Sequence, residues 1–349
     1  MLFFTSDTMK HRRLLLSSAI LVVAVLAGAR VTAQSRQAEK EAAVSAHMEA
    51  ARSAAGKEHT GLFEALCSQF AEPNGRPPVL RQRGPGGAPF DRSTLHAEPV
   101  KVFDNHYFVG DKDYDTWAVT TSEGIIILGA LFSYSAEDGI VNGLKKLGLN
   151  PATIRYVIAS HADRDYVGGA GHLQKQYGAR IVMGAEDWSL LERANVNWAR
   201  RDIAATDGQK LTLGDTTITL YLTPGHTLGT LSLLVPVKDN GRRHLAASWG
   251  GTVFNWLSNS PAYIGPDRPN KFWFDSYIKS AVRFRENAAK AGADVLIADH
   301  NRFGGSKSKL AAMGSRRLHD PHPFVIGNEA VVRSITVHSE CAQAGLARE

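Results

Sequence analysis

Apolar positions along the chain fall into short runs spaced like those of a layered α/β protein. Residues 124–128 (GIIIL) form a continuous apolar run, the pattern of a strand buried on both faces. Ser135-x-x-Asp138 reads as a capping box with Asp in place of Glu. It opens a helix whose Ile140, Val141, Leu144 and Leu147 share one face and which Gly148 stops. Residues 156–159 predict a second buried strand that ends directly on Ser160-His161. Helices are expected over 170–177 and 185–193, with a strand over 180–183 between them. The pattern then turns to β. Residues 210–213 and 216–222 flank Gly214-Asp215, a hairpin signal, and strands follow over 231–237 and 245–248. A helix over 274–291 leads to a last strand over 295–298, ending on Asp299-His300. Strand–helix alternation with polar residues at strand ends predicts an α/β sandwich of stacked layers.

The N-terminal region follows other rules. Lys10, His11, Arg12 and Arg13 precede an apolar run over 14–29, and Val31-Thr32-Ala33 is a small-x-small site. That order is a secretory signal peptide over residues 1–33. Its apolar run falls short of the about 20 residues a spanning helix needs. The mature protein is therefore expected to be periplasmic or secreted, with no membrane contact after cleavage. Residues 34–60 are Ala-, Glu- and Lys-rich with little apolar face, so a frayed helix or disordered leader is expected. Residues 73–89 hold PNGRPP and GPGGAP, an extended strap by composition. The expected organisation is a signal peptide (1–33), a helical leader and strap (34–98), and an α/β domain (99–349).

Composition narrows the partners. The 349 residues are 44% hydrophobic and 21% charged, ordinary globular values that exclude collagen-like and wholly disordered classes. The formal charge is +6, but Lys10, Arg12, Arg13 and Arg30 against Asp7 leave only +3 beyond residue 33. With no basic stripe interleaved with aromatics, a nucleic-acid partner is not expected. In an oxidising compartment Cys67 and Cys341 form either one disulfide closing a very long loop or two separate buried thiols; both readings stay open. No CxxC spacing makes them metal ligands.

Of the 13 histidines, His47, His59, His96, His106, His172, His244 and His338 read as ordinary surface or core residues. His319 and His322 read as loop hydrogen-bonders. His161, His226 and His300 differ, because each lies just past the C-terminal end of a predicted buried strand, the edge where open α/β sheets bind ligands. With Asp163 and Asp165 beside the first, they converge as a metal site does.

Residues 161–169 (HADRDYVGG) resemble the H-x-H-x-D-H-x-G-G signature of the metallo-β-lactamase fold. Residues 223–227 (TPGHT) resemble its T-P-G-H-T segment, and residues 297–300 (IADH) its final histidine strand. Order and spacing agree from about Val100 to Gly304. Signal peptide, length and lack of a metal-binding Cys most resemble the third, cysteine-free subclass of metallo-β-lactamases and its exported relatives. The resemblance implies an αββα four-layer sandwich with up to two zinc ions at one sheet edge. It places the first metal at His161, Asp163 and His226, and the second at Asp165, Tyr166 and His300.

This chain departs from that pattern at two of the six ligand positions. Asp163 and Tyr166 both stand where the family has His; Gly129 stands where it has Asp, and Leu228 where it has Pro. Carboxylates bind zinc, so His161, Asp163 and His226 can form a His₂-carboxylate site. A neutral Tyr is a poor zinc ligand, since its free pKa is about 10. One zinc is therefore expected, with a second only weakly held. The bridging carboxylate of glyoxalase-like and di-iron members has no counterpart in Ser248-Trp-Gly-Gly-Thr252. The resemblance implies a hydrolase of amide or ester bonds in small acyl substrates, a β-lactam first among them. Metal at His161, Asp163 and His226, with His300 completing a second position or shuttling protons, would polarise the carbonyl. Asp165 would orient water or accept its proton, and Tyr166 would donate to the developing oxyanion. Two alternatives stay open: a lactonase or thioesterase on the same fold, and an inactive binding protein in which Arg164 neutralises Asp163 and Asp165.

Overall fold

The computed structural model describes residues 34–71, 95–258, 263, 265 and 267–349. The expected signal (1–33) and the strap (73–89) lie outside them. One sheet has seven strands in spatial order: β1 (Val100–Phe103), β2 (His106–Phe108), β3 (Trp117–Thr121), β4 (Gly124–Leu128), β5 (Ile154–Ile158), β6 (Arg180–Gly184) and β7 (Ile203–Ala205). Its first four strands pair antiparallel and β4 through β7 run parallel. The other sheet comprises β8 (Gln209–Leu213), β9 (Thr216–Leu222), β10 (Leu231–Asp239), β11 (Arg242–Ser248) and β12 (Val295–Ile297), neighbours in that order. It is antiparallel except for the parallel β11–β12 pair.

Side-chain alternation explains why these runs stack as layers. Along β4, Ile126 and Leu128 point into the core between the sheets, while Ile125 and Ile127 point to the outer helices. A strand with two apolar faces must be covered on both, as its continuous run requires. β10 does the same, with Leu233, Val235 and Val237 inward and Leu234 outward. The helices in chain order are α1 (34–55), α2 (Thr60–Cys67), α3 (Asn142–Lys146), α4 (Arg164–Val167), α5 (Ala170–Tyr177) and α6 (Ala185–Arg193). They continue with α7 (Asn270–Ala291), α8 (Asn301–Gly304), α9 (Ser306–Ser315) and α10 (Asn328–Arg348). Buried residues of α3, α5 and α6 pack on the first sheet, and those of α7 and α10 on the second, with α1 and α2 in the same cluster. The result is the expected αββα sandwich. Each fully buried Leu, Ile or Phe contributes roughly 1.5–3 kcal/mol by leaving water.

Two local expectations are corrected. The capping box at Ser135 does not form: its hydroxyl turns back to the Phe132 carbonyl, inside a turn in which Ser135 and Ala136 N–H also donate to that oxygen. The helix begins instead with a π-turn over Glu137–Val141 that runs into α3. The stretch expected as a frayed or disordered leader is helical over 34–55 and docked, with Val44, Ala51 and Ala55 buried. Their spacing of seven and four residues makes one helical stripe, but small alanines hid it. The open cysteine question is resolved: Cys67 at the end of α2 is bonded to Cys341 on α10, with Cα atoms 4.9 Å apart. Among the described residues no helix is long and apolar enough to cross a membrane.

Candidate metal centre

Four loops at one edge of the sandwich build the site. Parallel strand β5 ends at Ile158 and delivers His161 and Asp163; the β9–β10 connection delivers His226; β11 runs into residues 249–253; and β12 ends at Ile297, just before Asp299 and His300. Asp187, in the first turn of α6, ties the first two loops together. Its carboxylate accepts from the Ala162 N–H at 2.9 Å, the Gly229 N–H at 2.9 Å and the Thr227 hydroxyl at 2.7 Å. Burial pushes its carboxyl up to about 6 against these hydrogen bonds.

Ligand atoms of His161, Asp163 and His226 lie within 4.8 Å of one another. Asp163 Oδ2 is 3.2 Å from His226 Nε2 and 3.9 Å from His161 Nε2. The other ring nitrogens are committed. His161 Nδ1 lies 2.6 Å from the Gly250 carbonyl oxygen, and His226 Nδ1 lies 2.7 Å from that of Val253. A carbonyl only accepts, so the proton of each neutral ring sits on Nδ1 and each Nε2 carries a lone pair. Two lone pairs and a carboxylate then face one point, an arrangement that repels itself unless a proton or a cation lies between them. Nδ1–H to a backbone carbonyl is also the usual outer contact of a metal-bound histidine. The donor set therefore fits a zinc-sized cation, with His161, Asp163 and His226 as the groups that would hold it.

Without metal, a proton on His226 Nε2 takes the place of the cation. Desolvation opposes a charge on His226, but the hydrogen bond and charge of Asp163 outweigh it and push the ring up to about 9. The same pairing, with His161 and Asn255, overcomes desolvation at Asp163 and holds its carboxyl below the ordinary carboxylate range. Burial, with the charge of His226, pushes His161 down to about 3, so that ring is neutral.

The remaining expected residues form a second group outside this cluster. Asp165 Oδ2 and His300 Nε2 are 3.4 Å apart, and the Tyr114 ring packs against His300 at 4.9 Å. Burial, with the Asp163 charge, raises Asp165 to about 7, and burial lowers His300 to about 3. Tyr166 is fully buried, its ring stacked on His161 with centroids 4.6 Å apart. Its hydroxyl donates to the Asp115 carbonyl at 3.2 Å, so the proton expected to serve an oxyanion is already used. A Cβ on Gly129 would come within 3.0 Å of the Tyr166 ring, which ties two departures from the family pattern into one packing arrangement. Arg164 does not neutralise its flanking aspartates. Its guanidinium lies over the Phe132 ring, 5.8 Å from the centroid, with no ion pair to Asp163 or Asp165.

Sequence reasoning missed Asn255, Tyr263 and Asp187. Asn255 Nδ2 sits 3.0 Å from Asp163 Oδ2, 3.2 Å from His226 Nε2 and 3.1 Å from the Tyr263 hydroxyl. No motif or spacing marks these residues; only the return of the chain after β11 brings Asn255 and Tyr263 here.

An α/β sandwich with a His₂-carboxylate cluster at the loop end of its sheets has the layout of the metallo-beta-lactamase fold. The metallo-beta-lactamase superfamily model matches residues 109–239, and the chain has the fold of that superfamily, as its motifs imply. Among solved structures it resembles BJP-1, a subclass B3 metallo-beta-lactamase of Bradyrhizobium japonicum, at 27% identity and a TM-score of 0.57, covering 69% of this chain and 90% of that one. It resembles native FEZ-1 metallo-beta-lactamase from Legionella gormanii in fold, with a TM-score of 0.60 at 21% identity over 72% of this chain and 97% of that one. In sequence it is 26% identical over 176 residues to the N-acyl homoserine lactonase AttM of Rhizobium johnstonii, covering 46% of this chain. The matched stretch spans 63% of the length of that lactonase.

Proposed function

We propose that this protein is an exported hydrolase with a single zinc ion, acting on a strained or activated cyclic acyl bond, a β-lactam or a lactone. The observation that carries the reading is the convergence of His161 Nε2, His226 Nε2 and Asp163 Oδ2, with both Nδ1 atoms held on backbone carbonyls, the donor set of a His₂-carboxylate zinc site. Zinc held there supplies a Lewis acid that polarises the acyl carbonyl and lowers the pKa of water. His161 and His226 hold their rings in the ligating tautomer through Gly250 and Val253. Asp165, paired with His300, is the group to orient the attacking water and take its proton. Asn255 Nδ2 donates to Asp163 and to the Tyr263 oxygen, and the Tyr263 hydroxyl faces Asp163 Oδ1, so these two side chains would hold the carboxylate in its ligating position. Tyr166 fills space beside His161, which supports one metal rather than two. The Cys67–Cys341 disulfide supports an oxidising compartment and hence export.

The test is metal content by mass spectrometry on protein purified without added zinc, followed by assays on a chromogenic cephalosporin and an N-acyl homoserine lactone. One zinc per chain is expected, with turnover of at least one substrate class that a chelator abolishes and zinc restores. Asp163→Ala should lower zinc affinity by on the order of 100-fold. A protein that takes up no zinc at micromolar concentration and turns over neither class is the inactive binder instead.

A further inference from the structure

Both proposed ligand histidines are hydrogen-bonded through Nδ1 to one short segment, residues 250–253; His161 Nδ1 also lies 2.8 Å from Ser160 Oγ. The Gly250 carbonyl accepts from His161 Nδ1 and the Val253 carbonyl from His226 Nδ1. A Cβ on Gly251 would stand 2.5 Å from His226 Cγ, so this backbone lies flat against the ring. The segment is therefore a rail that aims two rings at once, and whatever fixes the rail fixes the metal geometry.

Three side chains hold it. Ser232 Oγ accepts from the Gly250 N–H at 3.1 Å. Thr252 Oγ1 donates to Asp299 Oδ1 at 3.2 Å. The Tyr277 hydroxyl, from α7, donates to the Thr252 carbonyl at 2.7 Å, midway between the two carbonyls that serve the histidines. That hydroxyl is fully occupied. Having given its one proton to Thr252, it accepts from Trp249 Nε1–H at 3.1 Å and, at 2.9 Å, from His338 Nδ1, which must then be the donor. Tyr277 also supports the other loop: a Cβ on Gly225 would meet its Cα at 2.7 Å, and Ser280, one turn on, donates to the Pro224 carbonyl at 2.7 Å. A single tyrosine thus bears on the loop that carries His226 and on the segment that orients both rings.

We infer that Tyr277 is a positioning residue for the metal centre, clamping residues 250–253 so that His161 Nε2 and His226 Nε2 converge on Asp163. It touches neither metal nor substrate. The inference rests on the metal-dependent reading above, and its test separates the two.

Zinc affinity is measured by competition with a chromogenic chelator, and site geometry by the visible absorption spectrum of the cobalt(II)-loaded protein. Tyr277→Phe keeps the ring in its packing and removes only the hydroxyl. It is expected to lower zinc affinity about 10- to 100-fold and to change the cobalt spectrum. Ser232→Ala, which frees the Gly250 end of the rail, should move both readouts the same way and serves if Tyr277→Phe does not fold. Val331→Ala is the control, since it loosens the same buried cluster from α10 through a side chain that makes no hydrogen bond to residues 250–253; it should leave affinity and spectrum at wild-type values. Wild-type affinity and spectrum in a folded Tyr277→Phe, or in Ser232→Ala where Tyr277→Phe does not fold, would overturn the clamp alone. Equal losses in Val331→Ala would also overturn it, because the effect would then be general loosening. A wild-type protein that binds no zinc would overturn the hydrolase reading and the clamp together.

Discussion

His106 shows at residue scale how a buried histidine without a role in the site affects the protein. It lies on β2 between Phe103 and the Trp117 ring, which stacks on it at 5.0 Å, and neither ring nitrogen has a partner. Burial alone pushes it down to about 3, so the folded protein keeps it neutral while the unfolded chain protonates near 6.5. A depressed histidine of this kind leaves stability untouched above about pH 6.5 and lowers it as pH falls toward 3. His106→Phe keeps the ring shape and removes the titration. Relative to wild type, the variant should gain about 1 kcal/mol for each pH unit below 6.5. Urea midpoints for both proteins at pH 7.5, 6.5, 5.5 and 4.5 give the comparison, and a constant difference would mean that the ring finds a partner or water on folding. The same reasoning separates His106 from His161, whose equally neutral ring has both nitrogens assigned, one to Gly250 and one to the metal centre.

At the scale of elements, the disulfide is the strongest tie between the N-terminal helices and the sandwich. α2 has eight residues, too few to be helical alone, and it is joined to α10 across a separation of 274 residues. Closing so long a loop restricts the unfolded chain by roughly 5 kcal/mol in the chain-entropy account, and losses of about 2–5 kcal/mol are usual when such a bond is removed. Cys67→Ser with Cys341→Ser should lower the denaturation midpoint accordingly and make α1 and α2 the first segment cut by trypsin. An unchanged midpoint would show that Leu62, Leu66 and their neighbours hold the hairpin without the bond. These helices also mark where sequence pattern stopped being informative. β4 was legible as an unbroken apolar run, and β9 and α6 because each repeats one period over seven or more residues. β1, β2 and β7 were not, since three or four residues are too few to carry a period. α1 hid its face behind alanines, while α10 mixes buried Val331, Ile335 and Cys341 with small Ala330, Ser334, Ala342 and Gly345. At the metal centre His161, Asp163 and His226 were legible through their motifs. Asn255, Tyr263 and Tyr277 depend on tertiary return of the chain, which local spacing does not encode.

For the whole molecule, the proposed zinc site would couple metal, proton and stability. Without metal, three ligands occupy three protonation states: His161 neutral, Asp163 ionised and His226 protonated, with its ring at about 9. The raised pKa of His226 stabilises the metal-free fold fully below about pH 6.5, and that contribution is lost as pH rises through 9. Zinc needs the neutral ring, so loading must expel one proton, and His226 is the only one of the three ligands that has it to give. Zinc affinity should accordingly rise about tenfold per pH unit between 6 and 8 and level off near 9. Ligand that binds only the folded state adds about 2.7 kcal/mol at a hundredfold excess over Kd, so the gap in melting temperature between loaded and metal-free protein should widen over the same range. Chelator competition at pH 6, 7 and 8, with calorimetry in two buffers of different ionisation enthalpy, counts the proton directly. One proton released per zinc is the expected result. None would mean that Asp163 and His226 share no proton in the metal-free protein and that their 3.2 Å contact is held by the surrounding loops, through Asn255 and the Val253 carbonyl, instead of by charge.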